Sequence, residues 1–248
     1  MEFEEEFCYP NVIDFFGTTL CHICDFTMRD LEKYASYDKY AEDNIDKSNL
    51  FVSEQIDHLL ERNHKNNHEG IIESFSTEFQ EFEDIFPSIH RKSLVIALYN
   101  FTEHQIKTLC EAINKLLPPG MSRKYFRDVS IKNYRKFLRS EAGFSINQGQ
   151  KLWVLWEELL KVEQIRHLLV HSEGEIEEHR VGLKVDLENY CKRKKGIRVH
   201  GNSIIIDKGF IEYLIADLIS LFELLDRQVH AFIKRYENVH GRYVDSLS

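Results

Sequence analysis

Apolar positions in this chain recur mainly at helical spacing. From Ser93 to Leu117 the sequence reads SLVIALYNFTEHQIKTLCEAINKLL, and Tyr99, Ile106, Cys110, Ile113 and Leu117 fall on one helix face. Glu103 belongs to the same face. From Lys151 a second run sets Leu152, Leu155, Leu159, Val162 and Leu169 in the same kind of register, and the position between the last two is Arg166. Each helix therefore carries one charge where an apolar residue is expected. Residues 209 to 236 read as a closing helix that is apolar around much of its girth, as suits an element packed against several neighbours. Between these runs, IRVH and SIIID flank Gly201-Asn202, the signature of a β-hairpin with a short turn.

Punctuation is sparse: four prolines and eleven glycines predict long helices with few breaks. Pro118-Pro119-Gly120 stops one helix, EAGFSINQGQ separates two others, and a polar segment follows Gly174. The first eighty residues differ. Clusters such as NIDKSN and ERNHKNNHEG lie between short amphipathic runs, which predicts an irregular helical extension ahead of the cleaner pattern that begins after Pro87. The expected organisation is a mainly α fold: residues 1–84 as an N-terminal helical extension, 85–240 as a helical bundle with a small β-hairpin insert, and 241–248 as a tail.

Composition narrows the function classes. A chain of 248 residues, 43% apolar, can bury a sizeable core. No segment has the uninterrupted apolar length that spans a bilayer; FIEYLIADLISLFELL is broken by acids. The amino terminus, MEFEEEFCYP, lacks the features of a secretory signal, so a cytoplasmic protein with no membrane partner is expected. Five cysteines, an odd number, then read as reduced thiols. The net charge of −9 argues against sequence-blind adhesion to nucleic acid. Two local runs, RKYFRDVSIKNYRKFLR at 123–139 and KRKKGIR at 192–198, are nevertheless basic, and the first interleaves aromatics with its charges. A charge run is more often a solvated face. The CHIC stretch, with Cys21 and Cys24, has only His22 and the distant Cys8 to complete a zinc site, so it reads as small apolar packing on a helix. His64 and His68 read as solvent-exposed.

The stretch EQIRHLLVHSEG, residues 163–174, carries the candidate chemistry. A charge on a buried stripe is costly unless paired or opened to water, and Glu103 is the expected partner of Arg166. His167 and His171 are one helical turn apart and Glu163 lies one turn before them. That spacing could hold a metal, but HLLVH lacks the glutamate of H-E-x-x-H sites, and no metal or other cofactor is expected. Arg166 and His171 stand about 140° apart around an ideal helix. They would converge if the helix end distorts, or if two copies meet and line a shared cleft. Gly174 reads as the helix stop, which puts His171 in the last turn, where the dipole favours a protonated ring suited to proton transfer.

Arg166 through His171 resembles the R-x(4 to 6)-H motif of the HEPN superfamily, in which the residue after the arginine is usually Asn, His or Asp; here it is His167. The resemblance covers roughly residues 90 to 235: a helix with an internal glutamate, the motif helix, a hairpin-like insert and a closing helix, an order similar to the HEPN branch called RiboL-PSP. It implies a helical bundle that pairs as a homodimer around a composite cleft, and a metal-independent endoribonuclease, often a toxin or antiviral effector, with an antitoxin or sensor as a further partner. His171 would be the acid/base group and Arg166 would stabilise the phosphorane-like transition state. His167 would orient or bind phosphate, and Glu103 would hold Arg166. The RNA's own 2′-hydroxyl would attack. Some HEPN domains are instead non-catalytic nucleotide-binding or dimerising modules, and the acidic net charge is compatible with that role.

Overall fold

The structure, a computed structural model, describes residues 12–118, 126 and 130–243. It is mainly α-helical with one two-stranded antiparallel sheet. Helix α1 is Thr19–Arg62, 44 residues long. Short helices α2 (His68–Ser74) and α3 (Ser76–Gln80) lead into a π-helical turn, Glu81–Ile85, and directly into α4, Phe86–Asn114. Then follow α5 (Ile131–Ser140), α6 (Lys151–Ser172), α7 (Val181–Cys191), strands β1 (Ile197–His200) and β2 (Ser203–Ile206), and α8 (Phe210–His240).

The N-terminal extension, over its described residues, is more regular than expected. No proline or glycine lies between Gly17 and Gly70, so nothing breaks the backbone. A buried stripe of Leu20, Ile23, Cys24, Thr27 and Leu31 runs at helical spacing and continues through Asp38 and Glu42. The polar NIDKSN cluster lies within this helix instead of ending it. Pro87 also falls inside a continuous helical run, in the first turn of α4. Proline has no amide to donate and crowds the carbonyl one turn back, and the π turn that ends just before it, where the Phe86 amide reaches the Glu81 carbonyl, reshapes that stretch of backbone.

The fold divides into two compact units, and each of the four long helices contributes a stretch to both. The first comprises Met1–Asp30, Asn100–Leu160 and Asp217–Ser248. Its core holds Ile106, Leu109, Ile113, Tyr134, Phe137, Ile146, Trp156 and Phe222, all inaccessible to solvent. Helix α5 starts at Ser130, whose side chain accepts the Asn133 amide, and buries Ile131, Tyr134, Phe137 and Leu138 at three- and four-residue spacing. The loop before α6 is pinned where the Ser145 amide donates to Gln228 at 2.8 Å and Arg235 donates to the Ala142 carbonyl at 2.9 Å.

The second unit comprises Leu31–Tyr99 and Lys161–Ala216. Its core includes Leu31, Val95, Leu98, Tyr99, Ile165, Leu187, Ile197, Ile204 and Phe210. The hairpin forms as the sequence predicts: Ile197 pairs with Ile206 and His200 with Ser203 across a two-residue turn. Gly201, at φ +60°, supplies the positive φ that a II′ turn needs at its first central position. Gly196 is obligatory for a different reason, since a Cβ there would lie 2.5 Å from the Phe210 amide nitrogen. Among the described residues, no helix is long and apolar enough to cross a membrane.

Candidate functional site

Helix α6 is amphipathic in the register read from sequence: Leu152, Leu155, Leu159, Val162 and Leu169 are buried, and Arg166 interrupts them as a half-buried cation. Its guanidinium lies over the ring of Tyr99 from α4, 5.8 Å from the centroid, a cation–π contact with an aromatic that is itself 2% exposed. The buried Arg166 Nε has no hydrogen-bond partner among the described residues. Tyr99 is held in turn, because its hydroxyl donates to Glu163 Oε1 at 3.0 Å. Tyr99 therefore bridges two residues of α6 that sit almost one turn apart. Glu103, half-buried and one turn along α4 from Tyr99, belongs to the first unit while Arg166 belongs to the second, and their pairing remains an expectation.

His167 and His171 are exposed on the opposite side of the helix from the core, with ring centroids 4.4 Å apart. The helix stays regular through Ser172, and the backbone departs from it only at Glu173 and Gly174, with φ of 54° and 95°. The distortion thus follows His171, leaving its five-residue offset from Arg166 at helical geometry, about 140°. The end of α6 is fixed by its neighbours. The Gly174 amide donates to Leu168 at 3.0 Å, Ile204 donates to the Gly174 carbonyl at 2.9 Å, and Ile176 donates to Asn202 at 2.8 Å. These last two bonds tie the segment after the motif to β2 and the hairpin turn. Lys92 of α4 adds a bond to the Glu173 carbonyl at 3.2 Å.

Beside His167 opens a cleft of about 380 Å³ lined by Glu163, Gln164, His167, Leu168, Arg180 and Leu183. One wall is α6 and the other the start of α7, joined by the ion pair of Lys161 with Asp186. Arg180, at the N-cap of α7, is exposed and pairs with Glu177 at 3.1 Å. Sequence reasoning placed Glu163 on the histidine face but missed Gln164, Arg180 and Leu183. Their one signal in the sequence is the polar segment after Gly174, which marks a turn between helices. Reading a shared cleft from it requires knowing that α7 returns alongside α6.

A second polar cluster joins α1 to α4, its members too far apart in sequence for a local pattern to show. Asp38 and Glu42, one turn apart on the buried stripe of α1, meet His90 and Arg91 of α4: His90 Nε2 lies 2.9 Å from Asp38, and Arg91 grips both Glu42 oxygens at 2.6 and 2.8 Å. Asp38, Glu42 and His90 could present three ligand atoms to a metal, the one such group among the described residues. Arg91, however, already supplies a cation to both oxygens of Glu42. Burial raises the Asp38 carboxyl above its usual range, against the lowering effects of His90 and Arg91, while the bond to Glu42 raises Arg91.

The remaining sequence candidates separate cleanly. Cys24 and Cys110 are buried and Cys21 half-buried, and burial pushes all three thiols up. His22 bonds the Phe16 carbonyl at 2.7 Å, and Cys8 lies outside the described residues. The 123–139 run is partly outside them too; within it Arg135 pairs with Glu157 at 2.5 Å and covers the Trp153 ring at 4.2 Å. Lys192, Arg193 and Lys195 lie at the turn between α7 and β1, with Lys192, Arg193 and Lys195 all exposed. His64 is exposed and His68 half-exposed. Neither protein-family models, curated proteins nor solved structures yield a match to this chain.

Proposed function

We propose that the protein is a metal-independent endoribonuclease of the HEPN type, acting as a homodimer on single-stranded RNA. The observation that carries the reading is the pair of exposed imidazoles, His167 and His171, 4.4 Å apart on one helix face beside an open cleft, on the same helix whose other side carries the half-buried Arg166. Internal phosphoryl transfer needs a titratable base and fixed positive charge, and these side chains supply both. His171 takes the proton from the RNA 2′-hydroxyl as its oxygen attacks phosphorus. The P–O5′ bond then breaks, and a protonated imidazole, from the same helix or its dimer mate, delivers a proton to the departing O5′. Arg166 stabilises the extra negative charge on the phosphorus oxygens and His167 positions the phosphate. The products are a 2′,3′-cyclic phosphate and a 5′-hydroxyl. DNA, lacking the 2′-hydroxyl, has no such nucleophile.

Arg166 stacks on Tyr99 and lies on the other side of α6 from His171, so a composite cleft requires that two copies contribute complementary groups. Light scattering on the purified protein, then incubation with total cellular RNA in EDTA, tests the whole reading. The expected outcome is a dimer that cuts RNA but not matched DNA, with cleavage lost in His171→Ala and the dimer retained. Strict dependence on a divalent metal would sink it. The alternative, a nucleotide-binding or dimerising module, draws support from the same Tyr99 stacking, which gives Arg166 a structural use. It would be established by an intact dimer that binds nucleotides and cleaves nothing.

A further inference from the structure

Resting on that reading of the motif helix, we propose that the cleft beside His167 is a guanine-selective nucleotide subsite, with Glu163 and Gln164 reading the base. Its volume of about 380 Å³ falls within the roughly 300–1,000 Å³ of small-molecule sites. The lining divides by chemistry. Leu168 and Leu183 offer apolar surface to the face of a base, and the exposed imidazole of His167 is left for the phosphate.

The polar groups make the choice of base. Glu163 is fixed by the Tyr99 hydroxyl at Oε1, so its carboxylate is presented in one orientation as an acceptor. Gln164 accepts from Lys161 through its amide oxygen at 3.3 Å, which leaves the amide nitrogen as its donor. A carboxylate and an amide donor lining one cleft complement the Watson–Crick edge of guanine, whose N1–H and N2–H donate while O6 accepts. Uracil presents two carbonyl acceptors around a single N–H, and one of them would face the carboxylate. Arg180 supplies the cation for the nucleotide's phosphate; its partner Glu177 is an exposed neighbour three residues away, readily exchanged for a phosphate.

Calorimetric titration of the full chain with 3′-GMP and 3′-UMP tests the subsite without relying on catalysis. Wild type is expected to bind 3′-GMP at least about tenfold tighter than 3′-UMP. Glu163→Gln keeps an acceptor for Tyr99 but replaces one carboxylate oxygen with a donor, and should abolish that preference. Arg180→Ala should weaken both nucleotides alike. Equal binding of the two by the wild-type protein, or an unchanged preference in Glu163→Gln, would overturn the proposal. Guanine preference in a protein that leaves RNA intact upholds the subsite and refutes the nuclease reading; RNA cleavage without guanine preference in binding does the reverse.

Discussion

Asp38 shows how one buried carboxylate sets a pH dependence. Its side chain sits on the apolar stripe of α1, and burial lifts its affinity for a proton above that of the ordinary carboxyl, near 3.8, which the unfolded chain would show. His90 and Arg91 work against that rise and Glu42 with it. Because the folded state holds the proton more tightly, the contribution to stability is greatest below the unfolded value and is lost as pH climbs through the folded one. Urea unfolding from pH 4 to 6 should therefore show Asp38→Asn gaining on the wild-type protein as pH rises. A constant gap would contradict the assignment. Of the candidate residues, Arg166, His167 and His171 draw attention in the sequence because each breaks a pattern, a charge on an apolar face or two histidines one turn apart, while the role of Glu103 as partner of Arg166 stays an expectation. Arg180 and Gln164 break nothing in the sequence around them, and only the packing of α7 beside α6 gives them a common cleft.

Among the elements, α4, α6, α8 and the hairpin follow from periodicity and turn chemistry, with helix ends shifted by several residues at most. Helix α1 is hidden in the sequence because two of its buried-stripe positions are acids, which make an amphipathic helix look interrupted. The acids are tolerated only through long-range partners on α4, some fifty positions away, which no local window reveals. That dependence makes the α1–α4 join vulnerable. Glu42→Ala would leave Arg91 beside Asp38 without its bidentate partner, and a loss of about 3–5 kcal/mol is expected from denaturant titration. The double change of Glu42 and Arg91 to apolar residues should cost far less, since the uncompensated charge goes with its partner.

Across the molecule, thiol accessibility follows burial. Cys110 is fully buried and Cys24 nearly so, with burial holding both thiols well above ordinary values, whereas Cys21 and Cys191 are half-buried and also raised. Alkylation at neutral pH in native buffer should spare Cys24 and Cys110 until the fold opens, so mass spectrometry of labelled peptides across a urea series would report unfolding of the first unit directly. Rapid native labelling of Cys110 would be incompatible with its position. The π turn ahead of Pro87 has a geometric consequence. Such a turn houses one residue more than an α-helix would over the same path. A chain shortened by one position between 81 and 85 would turn the residues just ahead of it, Phe79 among them, by about 100° about the helix axis, against the bonds from Asp38 and Glu42 that hold α1 to α4.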